Sequence, residues 1–465
     1  MAREGCRIAV IGAGFSGVMT AIHLLWRCEP GERVYLVERS GRIGPGLAYG
    51  TSNTGHLVNT RAENMSAFGD EPDHFVRWLE GLTPERRAAA GERTIAGTFV
   101  RRSVFGSYVQ ELLRDAIARQ DGADNLYLIA DTATAMHPRN GGLELETGNG
   151  RCYHMDAAVL ALGNLPPAGP RLAGFVASPW SEAATMPLEP GLPVVMLGTG
   201  LSMIDACLAL VQQGFEGPIH AISRRGLLPQ SHAPAKPGAE IRLHADDRRS
   251  LLSLFRAVRR EVRRNGAQAV GWRAVIDALR PQVQALWAGL SPADKARFVR
   301  HVRPWWEVHR HRMAPSIGAI VASLRASGVL HVDAGRVDSI EPAAGRLKVV
   351  WRAKGEQETR EIVAQRIIDC TGINTDYCQS DEPLLRQLQA DELIRPAPLG
   401  LGVDCTIHGA ILDARGQPLP HLFGVGPVTR GALWDITAVP EIRTQAEQVA
   451  ERTLAAARSR FRAAA

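Results

Sequence analysis

The chain has little that would support disulfides, metals or a membrane. Its 465 residues include seven scattered cysteines and no CxxC pair. That argues against a disulfide framework and a cysteine-rich zinc site, and it fits reduced thiols in a cytoplasmic protein. It also argues against a dithiol disulfide reductase. No apolar run of about 18 residues is free of glycine and charge, so no membrane span is expected. The largely apolar stretch from Ile8 to Trp26 carries three glycines and His23, with no small-residue cleavage site after it, unlike a secretory signal. Negative charge is in deficit: the net charge is +6, mostly through arginine. Such a balance suits anionic small ligands, and the dispersed charge without a nucleic-acid motif argues against DNA or RNA. The length predicts two or three domains at about 150 residues each.

What the chain does contain begins at Arg7, with RIAVIGAGFSG. Ile8, Val10 and Ile11 read as a buried parallel strand, Gly12, Gly14 and Gly17 as a GxGxxG turn, and VMTAIHLLW as the following helix. Gly12 permits the tight turn, Gly14 lets a pyrophosphate approach the backbone, and Gly17 lets helix and strand pack closely. Phe15 and Ser16 sit where the helix N-terminus turns its free N–H groups toward phosphates. A second strand, 34–37, ends in Glu38 and Arg39, where an acid accepts from ribose hydroxyls. Alone, GxGxxG is weak; with strand, helix, strand and acid in order it specifies a dinucleotide-binding unit.

Residues 39–70 form a long loop that reads as wrapping a cofactor ring, with Asn59, Met65 and Ser66 as candidate contacts. Helices are expected at 72–90 and 103–120, then strands at 126–129, 143–147 and 157–162, the last closed by Gly163. The pattern then repeats. Strand 194–197 runs into Gly198-Thr-Gly200-Leu201-Ser202-Met203 and a helix, and strand 219–222 ends in Ser223-Arg224-Arg225. Strands near 330–332, 347–351 and 366–370 follow, closed by Gly372. Met203 replaces the third glycine, so looser helix–strand packing is expected. Arg224 and Arg225 stand where the first unit has Glu38. Arginine grips a 2′-phosphate, which points to NADPH on the second unit.

An arginine-rich insert, about 240–316, lies inside the second unit, with Arg256, Arg259, Arg260, Arg263 and Arg264 reading as a solvated basic face. The run from Arg303 to Met313 holds Trp305, Trp306, His309, Arg310 and Arg312. It reads equally as a buried aromatic anchor with salt bridges or as a wall of a substrate pocket. HxH alone supplies too few ligands for a metal. The tail adds a strand ending at Gly426, then Trp434 and Asp435, and a helix at 440–460.

The segments GAGFSG, AYGTSNTGHLVNTRAENMSAF, GTGLSMIDACLAL, ISRRGLLPQSH, WWEVHRHRMAP and GVGPVTRGALWDITAVPEIR resemble a bacterial group of FAD/NAD(P)-binding proteins related to the class B, N-hydroxylating flavin monooxygenases. The internal repeat predicts an α/β fold of two nested Rossmann-like domains with a helical insert, and the resemblance implies FAD on the first unit and a nicotinamide on the second. An FAD domain would span 1–188 and 371–465, and an NADPH domain 189–370. In flavoproteins of this order the junction at Gly426 meets the flavin end of FAD; the other reading of the tail is a purely structural C-terminal helix. The flavin-monooxygenase linker, FxGxxxHxxx followed by Tyr or Lys, is absent: the matching stretch at 172–180 has no histidine. The expected activity is NADPH-dependent oxidation by molecular oxygen of a small polar or amino-acid-like substrate, at a nucleophilic atom such as an amine nitrogen. Two other readings stand beside it, a reductase serving another acceptor and a non-catalytic redox sensor. No acid–base pair is legible, so no catalytic residue is assigned. Trp305, Trp306, His309, Arg310, Arg312, Trp434 and Asp435 are the candidate pocket residues.

Overall fold

The computed structural model describes residues 5–90, 97–119, 125–139, 142–165, 169–233, 239–267 and 271–464. The chain divides into two compact units. One takes in Met1–Ser52, Arg61–Leu165 and Asn374–Ala465, and the other Asn53–Thr60 and Pro166–Ile373. The inner parallel strands of both units, such as Arg7–Ile11, Ala157–Leu160, Val194–Leu197 and Arg366–Asp369, carry largely buried apolar runs, the pattern of parallel strands covered on both faces.

In the first unit, six strands run in the order Ala410–Leu412, Pro418–Gly424, Ala157–Leu160, Arg7–Ile11, Arg33–Val37 and Leu126–Ile129. The central strand pairs in parallel with both neighbours, Ile8 opposite Val34 on one side and Ala157 on the other. All eleven residues of the helix Phe15–Leu25 are buried. Against it lies the helix Val439–Ala464, anchored by the Arg458 guanidinium on Glu32 at 2.7 and 2.9 Å. A separate antiparallel sheet, Ala133–Arg139, Gly142–Thr147 and Cys152–Met155, contributes Met136, Leu143, Leu145 and Met155 to the core.

In the second unit, seven strands run in the order Thr359–Ala364, Arg346–Ala353, Leu330–Ala343, Ile219–Ser223, Val194–Leu197, Arg366–Asp369 and Phe175–Val176. The strand from Leu330 is 14 residues long. Its first residues, 330–334, pair in parallel with 219–223; from Gly335 it pairs antiparallel with Arg346–Ala353, with a register shift between Val337 and Ser339 inside that ribbon. The insert is helical: Leu251–Ala267, Trp272–Leu279, Val283–Gly289, Pro292–Arg297 and Arg303–Arg310.

Several expected boundaries move. The helix expected over 72–90 is two, His74–Glu80 and Pro84–Ala90, because Pro84 lacks the N–H a continuous helix would use. The strand expected to end at Gly426 is Pro418–Gly424. Residue 120 of one expected helix and 268–270 of the insert lie outside the described residues. Residues 53–60, read as part of a loop around the first unit's cofactor, belong to the second unit. No helix among the described residues is long and apolar enough to cross a membrane.

Candidate functional site

The two units repeat one construction at the carboxyl ends of their strands. Gly12 donates its N–H to Val37 O at 2.8 Å, and Gly198 donates to Ile222 O at 2.7 Å. Each glycine has a positive φ, 101° and 98°. At each, an added Cβ would lie 2.4 Å from a carbonyl of the neighbouring strand, Ala161 O in one unit and Cys370 O in the other. No L side chain fits that conformation and contact together, so both turns demand glycine. The second glycine of each turn faces open space: a Cβ at Gly14 would meet only Gly46 Cα, at 3.5 Å, and one at Gly200 would meet nothing within 4 Å. A helix begins directly after each, at Phe15 and at Leu201, with no side-chain cap on its N–H groups. Two cradles with free backbone donors and a positive dipole end result, each filled by any added side chain.

The third position separates them. At Gly17 an added Cβ would lie 1.8 Å from Gly12 O, whereas Met203 is fully buried at the equivalent place. The second turn therefore accommodates a side chain at the position where the first has no room for one.

The ends of the second strands differ in charge. Glu38 Oε2 accepts the N–H of Ala13 at 2.9 Å, and its Oε1 accepts the N–H and hydroxyl of Ser40 at 2.9 and 2.7 Å. The carboxylate is thereby fixed at the edge of the first turn. Beside it Arg39 pairs with Glu382 at 2.6 Å, which occupies the guanidinium with a protein partner. In the second unit, Ser223 Oγ bonds Thr199 Oγ1 at 2.9 Å and accepts from Gly226 N at 3.0 Å, closing the turn that carries Arg224 and Arg225. Arg224 is exposed and Arg225 half-buried, its Nη2 3.5 Å from Arg300 O.

The sequence reading missed the part of the first cradle contributed by Gly44 and Gly46. Gly44 N donates to Ala13 O at 2.8 Å, and a Cβ on Gly46 would come within 2.9 Å of Gly14 Cα. The loop is held from behind by Gln110, whose amide donates to Ile43 O at 2.9 Å, and by Tyr49 packed on Phe15 and Phe105. Burial pushes the Tyr49 phenol up to about 12. The signal was available as IGPG, two glycines shortly after the acid.

Other expected contacts fall at different places. Gly163 has φ 64° with nothing within 4 Å of an added Cβ, and its carbonyl accepts the Tyr377 hydroxyl. Gly426, at φ 76°, sits against Ser16: a Cβ there would meet Ser16 Oγ at 2.4 Å. That brings the segment after the strand Pro418–Gly424 onto the first turn. Gly372, φ 121°, borders open space in the second unit. Met65 and Ser66 are buried, and the Ser66 hydroxyl is used within its own turn by Glu71 O at 2.6 Å and Phe68 O at 3.1 Å. Asn59 lies in the second unit, where its carbonyl accepts from His232 Nε2 at 3.0 Å.

The candidate pocket residues split between the units. Trp434 and Asp435 are buried in the first, with the Arg430 guanidinium 4.6 Å from the Trp434 ring and Asp435 at φ 64°. In the second, Trp305 is 48% exposed on its helix and Trp306 is half-buried. His309 packs edge-on against Trp272 at 4.7 Å, its Nδ1 2.7 Å from Trp305 O. Arg310 and Arg312 are buried, and Arg312 is held by Asp277. Burial lowers the Arg312 pKa against the pull of Asp277. The Arg312–Asp277 ion pair matches the salt-bridge part of the anchor reading of this run, whereas Trp305, 48% exposed, is not the buried aromatic which that reading expected.

Together the turns, the strand orders and the doubled construction define a protein of the paired dinucleotide-binding class, α/β with two Rossmann-like units and a helical insert. Residues 9–165 match the family model described as FAD-NAD(P)-binding. No curated protein sequence matches the chain. Among solved structures, the chain is similar to an ornithine hydroxylase from Pseudomonas aeruginosa, with 13% identity, 97% of this chain and 99% of that one covered, and a TM-score of 0.64. It is also similar to an ornithine N-hydroxylase from Kutzneria sp. 744 described with reduced FAD, NADP+ and L-ornithine, at 13% identity, 96% and 98% coverage and a TM-score of 0.60. A bacillithiol disulfide reductase from Staphylococcus aureus shares the fold at 13% identity, 98% and 99% coverage and a TM-score of 0.55. These likenesses show the fold; the chemistry is argued from the residues.

Proposed function

We propose that this chain is an NADPH-dependent FAD monooxygenase that oxidises an amine nitrogen of a small polar or amino-acid-like substrate. The observation that carries the reading is the pair of equivalent cradles with opposite charge at their second-strand ends, Glu38 in one and Arg224–Arg225 in the other. In the first, Gly12 to Gly17, Gly44 and Gly46 would hold the FAD pyrophosphate, with the Glu38 carboxylate accepting from ribose. In the second, Gly198 to Ser202 would hold the NADPH pyrophosphate and the two arginines the 2′-phosphate. The fit rests on Gly14 and Gly200, where the missing side chains leave the space a phosphate needs. When bound, FAD supplies two-electron transfer from the nicotinamide to oxygen.

The protein's own part is to bind, orient and exclude water. The fold is shared with a disulfide reductase, but this chain has no CxxC to pass electrons to a disulfide. Oxygen is an acceptor that needs no protein redox group, and an amine substrate gives a balanced reaction: R–NH2, O2, NADPH and H+ yield R–NHOH, H2O and NADP+. The ornithine hydroxylases that share the fold supply the amine as the choice of nucleophile.

The test is parallel recording of oxygen uptake, NADPH oxidation and hydroxylamine formation with L-ornithine, L-lysine and cadaverine. Stoichiometric consumption of oxygen and NADPH with hydroxylamine release is the expected result. NADPH oxidation that continues without oxygen when a quinone is supplied would establish a reductase instead. A bound flavin that NADPH does not bleach would leave a sensor.

A further inference from the structure

The helix Leu251–Ala267 carries a surface that neither cradle uses. At 100° per residue, Leu252, Phe255, Arg256, Arg259 and Arg263 fall within an arc of about 100° on one side of it. All five are exposed, Leu252 at 57% and Phe255 at 41%. The opposite side, Leu251, Ala257, Glu261 and Asn265, is buried. The remaining arginines of the helix are engaged: Arg260 with Asp247 at 2.9 Å, and Arg264 with Glu261. Arg256 and Arg263 make no ion pair among the described residues, and the Arg259 guanidinium lies 5.9 Å from the Phe255 ring. The neighbouring carboxylates Asp246, Asp247, Glu240 and Glu261 are themselves paired with Arg249, Arg260, Arg242 and Arg264. The stripe therefore presents three cations with no ion-paired carboxylate among the described residues, next to two large apolar side chains.

We propose that this stripe docks an acidic, amphipathic helix of a partner protein. The cations stand at i, i+3 and i+7, the spacing at which one face of a second helix presents carboxylates, and arginine binds carboxylate by a two-point contact. Leu252 and Phe255 add exposed apolar anchors beside the cations. A membrane fits less well: lipid recognition takes a cluster of about four to eight basic residues, and here three stand in a single row. A nucleic-acid backbone would leave Leu252 and Phe255 without a partner. The proposal is independent of the reaction assigned above.

The probe is a synthetic helical peptide with glutamates at i, i+4 and i+7 flanked by two leucines, labelled for fluorescence anisotropy. Full-length flavin-loaded protein should bind it, with affinity falling at least tenfold when salt is raised from about 50 to 500 mM. The Arg256→Glu/Arg259→Glu/Arg263→Glu variant should lose at least tenfold in affinity while its flavin content and NADPH oxidation stay at the wild-type level. Leu252→Ser/Phe255→Ser should weaken binding with the salt dependence retained. Equal binding by the arginine variant and the wild type overturns the proposal. Tighter binding to vesicles containing phosphatidylserine, or to duplex DNA, than to the peptide overturns it as well. If the triple glutamate variant loses flavin, Arg256→Gln/Arg259→Gln/Arg263→Gln is the deciding protein, read by the same tenfold criterion.

Discussion

The carboxylate of Glu38 accepts the backbone N–H of Ala13 across 2.9 Å, tying the end of the second strand to the first glycine turn. The same oxygen-rich edge holds Ser40. The acid is thus a structural strut of the turn before any nucleotide is present. Its replacement should be felt in the protein without ligand as well as in ligand affinity.

The first turn separates packing from binding. Gly17→Ala drives a methyl into Gly12 O and should destabilise the unit by about 1–3 kcal/mol, the usual cost of overpacking. Gly14→Val meets nothing closer than Gly46 Cα with its Cβ, so the flavin-free protein should keep its thermal midpoint while flavin retention is lost. Differential scanning fluorimetry with and without FAD distinguishes the two. A Gly14→Val protein that stays yellow would remove the cradle assignment.

Cofactor choice should follow Arg224 and Arg225. A charge-assisted bond to a phosphate contributes about 1.5–3 kcal/mol, or roughly ten- to a hundredfold in affinity. Anaerobic flavin reduction should favour NADPH over NADH by about that factor in wild type and lose the preference in Arg224→Ala/Arg225→Ala. The same ratio in both proteins would show that the arginines do not read the phosphate.

Acid stability should fall in a defined window. Burial holds His23 near a pKa of about 4, and burial with the nearby Arg460 charge holds His421 near about 4. Unfolded histidine titrates near 6.5, so between about pH 6.5 and 4 the unfolded chain binds more protons than the folded one. Stability is therefore full above that window and drops as pH falls through it, on the order of 3 kcal/mol for each histidine at most. Urea midpoints recorded from pH 7 to 4 should decline, and His23→Gln/His421→Gln should flatten the slope. A midpoint that does not change with pH would refute the assignment.

Arg312 and Asp277 should behave as a structural pair. Removing Asp277, which is half-exposed, leaves a buried guanidinium with less compensation, at about 1–2 kcal/mol. Asp277→Ala and Arg312→Ala should each lower the thermal midpoint, and the double variant should lose less than the sum. Additive losses would mean the two do not couple, and would return Arg312 to the set of free cations.

Much of the fold was legible because its signals are local. A buried parallel strand reads as a short apolar run, a dinucleotide turn requires glycine at set spacing, and both recur at Gly12 and Gly198. The helix break before Pro84 was equally local and could have been read. The hairpin sheet Ala133–Arg139 with Cys152–Met155 was only partly visible, since its outer strands mix polar and apolar residues without a clean period.

By itself the sequence determined the two glycine turns, the acid at the end of one second strand and the arginines at the end of the other. Each is forced by backbone conformation or charge within a few residues. Only the tertiary structure decided that Gly44 and Gly46 close against Gly14, that residues 53–60 belong to the second unit, and that Arg312 spends its charge on Asp277. Those outcomes depend on segments distant in the chain meeting in space. Such a partner is chosen by the summed packing of many residues, and no spacing along the sequence records it.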